Sequence, residues 1–396
     1  MKQVLAGIRV LDFGRHIAAP WCAALMADMG AEVIRVERLG GGEDREVLPL
    51  ADAALGAGAM YLQCNRNKRS LTLDPKIPEG AEIMRNLVQT ADVVIVNLPE
   101  TTLKSLGLDY ESLKAIKPDI ILTVGTAYGM GGPYSDRIGF DGIGQIISGA
   151  IFRSGTPDSP MRAAVPYVDF GTAMSMLSGT LAALLHRQKT GEGQMVESAL
   201  LATALMMSNI LVVEQAVLKS DRVAIGNQSY GAAPSDIYKA KDGWVLAQII
   251  GQAQYKRWCA MVGREEWFGD PRFATDDLRG ENRAILNGAM AEWCAARTKA
   301  EVLGMLEKNR LPASAMYSPQ DVLEDSHIAA MGYLHPMDYP GLPRPAPIME
   351  APFRLSATPG DIRMRAPLTG EHTEQILKDI GYDGASIAAL RHKKAI

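Results

Sequence analysis

The chain has 396 residues, of which 47% are hydrophobic and 22% are charged, a balance typical of globular rather than disordered proteins. At ~100–200 residues per domain, this length predicts two domains. The formal net charge is −4 and no long basic run occurs, which argues against a nucleic-acid-binding surface. A local basic pocket for a small anion remains compatible with this composition.

The expected location follows from the apolar segments and the cysteines. No apolar run approaches the ~18 residues of a membrane span, and "MKQVLAGIRVLDF" passes directly into a strand-like segment without a signal-peptide core. The four cysteines (Cys22, Cys64, Cys259, Cys294) are scattered, with no CxxC and no His spacing suited to zinc. We therefore expect a soluble cytoplasmic protein with free thiols and no metal site.

The first half alternates strand-like and helix-like segments. Strands are predicted at "IRVLDF", "AEVIRVE", "DVVIVNL" and "DIILTVG", and helices at "AAPWCAALMADMG", "EGAEIMRNLVQTA" and "YESLKAI". This alternation predicts an α/β fold with a parallel sheet and helices on both faces. Ligands of such sheets bind beyond the carboxyl ends of the strands, so residues that follow these strands are the first candidates for a site.

The second half has longer helical patterns and a smaller unit. Apolar residues recur at helical spacing over Thr172–His186 and from about Val196 to Leu218. A linker-like stretch, "SDRVAIGNQSYGAAPSDIY", then precedes the strand "GWVLAQII" and the helical "ILNGAMAEWCAARTKAEVLGML". The proline-rich "YPGLPRPAPIMEAP" is typical of an extended connector, and "GEHTEQILKDIGYDGASIAALR" predicts a helical tail.

A nicotinamide dinucleotide site is the first functional alternative, because strand, helix and second strand end in the acidic Glu37. The chain after the first strand reads "DFGRHIAAPW" rather than G-x-G-x-x-G, and Arg15 and His16 stand where the backbone should approach a pyrophosphate. This disfavours the dinucleotide. Basic residues near strand ends or turns suit a nucleotide with several phosphates instead, although each alone is typical of a solvated surface: Arg15, Arg38, Lys68, Arg69, Lys104 and Arg137.

Asp169, in "AVPYVDFGTAMSM", has two interpretations. An aspartate just before a helix accepts backbone N–H bonds as an N-cap, and capping accounts for most such residues. The small and apolar neighbours, and a helix start that offers N–H donors to an anion, instead favour a reactive carboxylate that acts as a nucleophile. Position alone leaves both interpretations open.

Several separated motifs resemble the class III (family III) CoA-transferases, the group that contains formyl-CoA transferase and carnitine CoA-transferase. The similarity covers nearly the whole chain and is weakest over about 230–330. The motifs that carry it are "GIRVLDFGRHIAAPWCAALMADMGAEVIRVE", "NRNKRSLTLD", "GPYSDRIGFDGIGQIISG", "HRQKTGEGQ" and "APLTGEHTEQILKDIGY".

The resemblance implies a Rossmann-like large CoA-binding domain over 1–220 and 340–396. It implies a smaller α+β domain over 221–339, connected to the large domain by linkers. It also implies an interlocked homodimer in which each subunit is a ring threaded through the other.

The resemblance further implies that Asp169 is the catalytic nucleophile. Its carboxylate would attack an acyl-CoA thioester to give a mixed anhydride and then an aspartyl-CoA thioester, which passes CoA to an acid. CoA and acyl-CoA are then substrates, a small carboxylic acid is the second substrate, and no tightly bound cofactor is expected. Motif matching places CoA contacts at Arg15, His16, Ala18, Arg38, Lys68, Arg69, Leu71, Asn97, Leu98, Lys104, Arg137 and Gly251.

Two departures from the family pattern affect these expectations. The chain reads "NLPET" instead of the usual "NFRPG", and Ser105 stands where the family often has an arginine, so Lys104 is the candidate replacement. The related α-methylacyl-CoA racemases have a histidine in "GHD" that takes a proton, whereas this chain has Phe140 in "GFD". A racemase-like enzyme and a non-catalytic acyl-CoA-binding homologue are therefore the alternatives to a CoA-transferase.

Overall fold

The structure is a computed structural model that describes residues 3–50 and 56–396. The chain divides into two compact units, the first formed by Met1–Gly149, Ala163–Val213 and Met331–Ile396, the second by Ala150–Arg162 and Glu214–Ala330. The second unit thus spans 150–162 and 214–330 and contains most of the smaller domain expected over 221–339.

Helices and strands alternate along most of the chain. Up to residue 149 they are β1 (Arg9–Asp12), α1 (Ala18–Asp28), β2 (Glu32–Glu37), α2 (Ala59–Cys64), β3 (Lys68–Thr72), α3 (Pro78–Thr90), β4 (Val93–Val96), α4 (Glu100–Leu106), α5 (Tyr110–Ile116), β5 (Ile121–Thr126) and α6 (Asp141–Ile147). From 150 to 250 they are β6 (Gly155–Thr156), β7 (Ser159–Pro160), α7 (Tyr167–Thr190), β8 (Met195–Ala199), α8 (Leu200–Leu218), β9 (Ser235–Ala240) and β10 (Gly243–Gln248). The remainder are α9 (Gln252–Val262), α10 (Asp276–Glu281), α11 (Arg283–Ala295), α12 (Lys299–Lys308), β11 (Ala313–Ala315), α13 (Pro319–Glu324), α14 (Ser326–Met331), β12 (Leu334–Met337), β13 (Ala346–Met349), α15 (Thr373–Asp379) and α16 (Gly384–His392).

The first unit is organised around a parallel sheet of six strands, in the order β3-β2-β1-β4-β5-β8. This is the doubly wound strand order of Rossmann-like folds, so the predicted α/β class is confirmed. The chain builds the sheet outward from β1 through β2 to β3 and then returns to the other side of β1 with β4. A crevice therefore opens between the carboxyl ends of β1 and β4, which is where open α/β sheets bind their ligands.

Alternate side chains of each central strand fill two apolar layers, one on each face of the sheet. Val94 and Val96 of β4 join the layer that contains the apolar residues of α3 and α5, whereas Val93 and Ile95 join the layer built with α1 and α7. The strands are apolar on both faces because both faces are covered. Helix α7 packs along α1, with the ring of Phe170 edge-on to Trp21 at 5.5 Å.

The second unit is built around an antiparallel sheet of three strands, β11-β10-β9. Its core contains Trp258 and Tyr255, whose rings stack at 5.8 Å, together with apolar residues of α9, α11 and α12. The hairpin of β6 and β7 belongs to this unit, where the N–H of Gly226 donates to the carbonyl of Gly155 at 2.6 Å. An α+β unit thus accompanies the Rossmann-like one.

Two predicted elements were wrong. The helix expected from Val196 begins only at Leu200, because residues 195–199 pair with β5 and form the edge strand β8. The proline-rich connector contains β13, which pairs antiparallel with β12. In both places pairing with another strand overrides the local pattern.

Helices α7 and α8 are long and apolar enough to cross a membrane by length and composition alone. The expectation that no segment reaches this length was therefore wrong. Core helices of soluble proteins pass the same test, and α7 lies in the core against α1 and the sheet. Helix α8 differs, because its apolar residues are not confined to one face and Met206, Ile210 and Val217 are exposed.

A buried ion pair joins β1 and β3 beneath the crevice. The ammonium of Lys68 donates to Asp12 Oδ2 at 2.7 Å, to the Pro20 carbonyl at 2.8 Å and to Asn65 Oδ1 at 2.9 Å. Although burial favours the neutral acid, Lys68 and Arg35 hold the pKa of Asp12 below its ordinary value. The charge is tolerated in the interior because every donor of the ammonium has an acceptor.

Two further buried pairs extend this network through β2. Arg35 binds Asp44 through two hydrogen bonds of 2.9 Å, and Arg45 binds Glu37 at 2.5 Å. Together with Lys68 and Asp12, these two pairs form a network of three cations and three carboxylates, so its formal charge is zero.

The network shapes the loop that follows β1. Asp12 accepts the N–H of Gly14 at 2.8 Å, and the guanidinium of Arg35 donates to the Gly14 carbonyl at 3.3 Å. A Cβ atom at position 14 would come within 2.7 Å of Ala19 and Pro20, so only glycine allows this approach of the loop to α1. The loop that carries Arg15 and His16 is thus anchored from below.

Replacing Lys68 by Met removes the cation and leaves the buried Asp12 carboxylate without its partner. Breaking a buried pair in this way costs about 3–5 kcal/mol of unfolding free energy, which urea denaturation would measure. The matched control is Lys104→Met, because Lys104 is exposed and pairs with Glu100 on the surface of α4. Equal urea midpoints for the two variants would contradict a structural role for the buried ammonium.

Candidate active site

A cavity of about 240 Å³ opens at the crevice between β1 and β4. Its wall comes from the segments after β1, β4 and β5 and from the first turn of α7. Eight residues that the sequence singled out line it: Arg15, His16, Ala18, Asn97, Leu98, Arg137, Phe140 and Asp169.

Asn97, just after β4, holds the backbone of Arg15 on both sides. Its Oδ1 accepts the Arg15 N–H at 2.8 Å and its Nδ2 donates to the Arg15 carbonyl at 2.7 Å. The guanidinium of Arg15 donates to the carbonyls of Phe13 and Gly14, at 3.2 Å and 2.9 Å.

Burial and the neighbouring Arg35 lower the pKa of Arg15. Because Arg15 forms no ion pair with a carboxylate in the described ranges, its guanidinium remains available to an anionic ligand.

Asp169 is the third residue of α7, which begins at Tyr167 after Pro166. The interpretation of Asp169 as the cap that precedes the helix is therefore wrong. The cap comes from α6, because Asp141 Oδ2 accepts the N–H of Val168 at 2.7 Å and the N–H of Asp169 at 3.2 Å. These N–H groups are thus committed to Asp141 rather than offered to a ligand.

The capping carboxylate is itself fixed by Gln145, four residues later on α6. The Gln145 amide donates to Asp141 Oδ1, and its oxygen accepts the N–H of Ala163 at 3.0 Å. Both Asp141 and Gln145 are buried. The first turn of α7 is therefore held in place by side chains of α6.

The Asp169 carboxylate lines the cavity and accepts no hydrogen bond from any other described residue. Burial, and secondly the negative charge of Asp141, raise the pKa of Asp169 to about 7. A carboxylate with a raised pKa, half-buried in a cleft and without a partner, is typical of a catalytic group. Once ionised, it is more basic than an ordinary aspartate.

A second cavity, of about 400 Å³, shares Arg15 and Leu98 with the first. Its remaining wall is largely apolar and carries two cations, Arg38 and Lys76, and two acidic residues, Glu37 and Asp74. The two cavities thus lie side by side along the carboxyl edge of the sheet. Together they offer space for an elongated ligand that reaches Asp169 at one end.

A sequence model described as CoA-transferase family III matches residues 5–373. The chain belongs to this family. The succinate–glutarate CoA-transferase of Agrobacterium fabrum is 33% identical over 392 residues, which cover 96% of this chain and 96% of that protein. The succinyl-CoA–D-citramalate CoA-transferase of Chloroflexus aurantiacus is 33% identical over 399 residues, which cover 99% of this chain and 98% of that protein.

A solved structure agrees with this assignment. The crystal structure of a CaiB/BaiF family protein from Brucella suis superposes with a TM-score of 0.84 at 31% identity. The superposition covers 96% of this chain and 100% of that chain. The resemblance carried by the motifs is therefore confirmed at the level of the family.

Two of the CoA contacts expected from the family motifs have no exposed surface in this member. Lys68 is enclosed by its bonds to Asp12 and its neighbours, and Leu71 lies in the apolar layer beneath the sheet. Neither side chain reaches a cavity, because β3 directs both into the interior. Lys68 instead supports the loop of Arg15 from below.

Three other expected contacts also lie outside the cavities. Arg69 pairs with Glu32 and Asp379, at 2.8 Å and 2.7 Å. Lys104, the candidate replacement for the missing family arginine, is exposed and pairs with Glu100. It lines neither cavity. Gly251 belongs to the second unit, where its N–H donates to the carboxylate of Asp276 at 3.0 Å.

Sequence reasoning missed Asp141, Leu73 and Lys76. Leu73 and Lys76 line the second cavity just after β3, so the rule that sites follow strand ends could have found them. Asp141 directly follows Phe140 in the "GFD" motif, but only the packing of α6 against α7 shows that it caps the helix of Asp169.

Side chains able to ligate a metal are scattered rather than grouped. Within residues 3–50 and 56–396, no three His, Cys, Asp or Glu side chains lie together in an arrangement that could hold a metal ion.

Replacing Asp169 by Asn is expected to stabilise the protein at alkaline pH. The pKa of Asp169 is raised from 3.8 to about 7, so between these values the folded state binds the proton more tightly than the unfolded state. Wild-type stability attributable to this group is therefore present at pH 4 and lost as the pH rises to 7. Chemical denaturation should show a gain for Asp169→Asn that is small at pH 4 and greatest above pH 7.

The matched control for this measurement is Asp136→Asn, which changes an exposed carboxylate on the loop beside the cavity. It should not reproduce the gain. Superimposable unfolding curves of wild type and Asp169→Asn at pH 8 would show that burial of the ionised Asp169 carboxylate does not destabilise the folded state.

Proposed function

We propose that this protein transfers CoA from an acyl-CoA to a carboxylic acid, with Asp169 as the covalent nucleophile. The observation that carries the proposal is the Asp169 carboxylate itself, which faces the cavity without a hydrogen-bond partner among the described residues and has a pKa raised to about 7. Membership of CoA-transferase family III supports the same chemistry.

The proposed reaction begins with a carboxylate oxygen of Asp169 forming a bond to the thioester carbonyl carbon. The C–S bond breaks, which gives a mixed anhydride and the CoA thiolate. The thiolate then attacks the Asp169 acyl carbon, the donor acid departs as a carboxylate, and an aspartyl-CoA thioester remains. The acceptor acid repeats both steps in reverse and regenerates Asp169, so no proton or electron is gained or lost overall.

The raised pKa of Asp169 serves this sequence of reactions. A half-buried carboxylate that lacks hydrogen bonds loses little solvation when it attacks, and its higher basicity strengthens it as a nucleophile. Asp141 contributes through its charge and through its hold on the backbone of residues 168 and 169. The same side chain therefore positions the nucleophile and raises its basicity.

Each acyl transfer passes through a tetrahedral intermediate whose oxyanion needs donors. The N–H groups at the start of α7 are occupied by Asp141, so they cannot supply these donors. The N–H groups of Ile17 and Ala18, at the amino end of α1, make no hydrogen bond to another described residue, and Ala18 lines the cavity. We assign the oxyanion to this end of α1, where the helix dipole is positive.

The two neighbouring cavities suit the shape of CoA. The nucleotide would occupy the apolar cavity with its phosphates near Arg38 and Lys76, and the pantetheine arm would pass Arg15 and Leu98 toward Asp169. CoA and acyl-CoA are in this account substrates rather than resident cofactors.

We further propose that the exchanged acids are small dicarboxylates. Arg137 lines the cavity, with its guanidinium stacked 3.8 Å from the ring centroid of Tyr134, and forms no ion pair with a carboxylate in the described ranges. Together with Arg15 it offers a charge for a distal carboxylate. The names of the two relatives, which act on succinate, glutarate or citramalate, point to the same class of acid.

The protein is proposed to act as a cytoplasmic homodimer whose subunits interlock. Helix α8 exposes a run of apolar side chains that a second copy would cover: Met206, Met207, Ile210, Val213, Val217 and Leu218. The four cysteines are all free and buried, which suits a reducing compartment.

The racemase alternative is disfavoured at Phe140. Its ring lines the cavity and lies edge-on to His16 at 5.7 Å, in the position where α-methylacyl-CoA racemases have a histidine. A phenyl group cannot take the α-proton of an acyl-CoA.

Replacing Asp169 by Ala should abolish CoA exchange between succinyl-CoA and a panel of dicarboxylic and monocarboxylic acids. Removal of a covalent nucleophile typically lowers kcat by about 10⁴-fold or more. Hydroxylamine added during turnover should convert Asp169 of the wild type to a hydroxamate, which peptide mass spectrometry detects. The variant Asp136→Asn serves as the control and should retain both activity and labelling.

CoA exchange by Asp169→Ala at the wild-type rate would contradict the covalent mechanism. Labelling at a different carboxylate would do the same. A wild-type enzyme that exchanges CoA only with monocarboxylic acids would leave Asp169 in place but contradict the proposed substrate class.

Replacing Asp141 by Asn should move the pH dependence of exchange. Burial keeps part of the shift, but loss of the neighbouring negative charge lowers the pKa of Asp169 below about 7. Since the ionised carboxylate is the nucleophile, kcat/KM of the wild type should rise with pH through about 7, and this rise should occur at lower pH in Asp141→Asn. An unchanged profile with a reduced plateau would mean that Asp141 only caps the helix.

A further inference from the structure

Three arginines of the second unit converge on one tyrosine ring. The guanidinium carbons of Arg153, Arg222 and Arg283 lie 5.0, 4.6 and 4.8 Å from the ring centroid of Tyr230. They come from three separate segments: the hairpin region, the stretch after α8 and the first residue of α11. The Tyr230 hydroxyl donates to the Val223 carbonyl at 3.1 Å, which orients the ring that the three cations share.

The charges of this cluster do not balance. Glu214 is shared by Arg153 at 3.6 Å and Arg222 at 2.5 Å. Arg283 donates to the Gly280 carbonyl at 3.0 Å and forms no ion pair with any carboxylate of the described chain. Three cations thus face one carboxylate, a formal excess of two positive charges.

Asp221 forms no ion pair with these arginines and does not correct this excess. Asp221, next to Arg222 in the chain, directs its carboxylate to the amide of Gln215 at 2.7 Å. The side chains of Arg153 and Arg222 are only 18% and 31% exposed, so water screens their mutual repulsion incompletely. The formal net charge of the whole chain is −4, so the local excess does not follow from its composition.

We propose that Arg153, Arg222 and Arg283 bind a phosphate-type oxyanion. Guanidinium groups present parallel N–H donors that match the oxygens of phosphate, and the Tyr230 ring holds them together as a rigid backing. The amino end of α11, at Arg283, adds partial positive charge. None of these residues lines either cavity of the first unit, so this is a separate site. The oxyanion is either free phosphate or the phosphoryl group of a nucleotide, which share this chemistry.

Calorimetric titration of the full-length protein with inorganic phosphate, at low ionic strength, tests the proposal. Arg222→Gln and Arg283→Gln should each weaken binding by about tenfold, the effect of one lost charge-assisted hydrogen bond. Arg283→Lys keeps the charge but not the planar donor pair and should lie between these variants and wild type. The matched control is Arg264→Gln, because Arg264 also stacks on an aromatic ring of this unit, Trp267, at 5.5 Å. It should bind phosphate as wild type does.

Two further arms distinguish the source of the anion and the place where it binds. Titration with adenosine 3′,5′-bisphosphate shows whether a nucleotide phosphate binds through the same arginines. Arg38→Gln removes a cation from the second cavity, and phosphate affinity should survive this change. The proposal is overturned if neither anion binds the wild type, if only Arg38→Gln abolishes binding, or if folded Arg222→Gln and Arg283→Gln bind phosphate undiminished. Far-UV circular dichroism establishes that the variants are folded.

Discussion

The pair of Lys68 and Asp12 is the interaction on which the site depends. Two opposite charges in the interior are stable only while each keeps its partner and its hydrogen bonds, so the pair tolerates very little displacement of β1 against β3. Asp12 uses its second oxygen to hold Gly14, and the loop that follows presents Arg15 and the free amino end of α1 to the crevice. The position of the ligand cavity is in this sense set by buried electrostatics rather than by the loop itself.

A second electrostatic interaction, between Asp141 and Asp169, lies at the other side of the same cavity. The carboxylate of an aspartate at the start of a helix ordinarily accepts hydrogen bonds from the helix N–H groups. Here Asp141 of a neighbouring helix takes that role, which leaves the carboxylate of Asp169 without a partner and close to a like charge. Burial and, secondly, the negative charge of Asp141 raise the pKa of Asp169, so the residue that caps α7 contributes to both the geometry and the basicity of this carboxylate. The cost is stability at alkaline pH, which is typical of active sites.

The two units differ in the use they make of arginine. In the first unit, Arg35 and Arg45 are neutralised by buried carboxylates, whereas Arg15 and Arg137 line the cavity and form no ion pair in the described ranges. The Tyr230 cluster of the second unit combines both features, because one glutamate is shared and a surplus of charge remains. At both places proposed to accept an anion, at least one arginine has no carboxylate partner among the described residues.

The amino-acid sequence by itself determined the α/β class, the family and the identity of Asp169 as a candidate, because alternating apolar segments and local motifs are properties of neighbouring residues. It also placed Arg15, Asn97 and Arg137 near the site, since residues after parallel strands meet at one edge of a sheet. Only the tertiary structure decided that Asp141 caps α7, that Lys68 is buried and that residues 195–199 form a strand. Each of these outcomes depends on a partner distant in the chain, and no local pattern states which partner a carboxylate, an ammonium or a strand edge will meet.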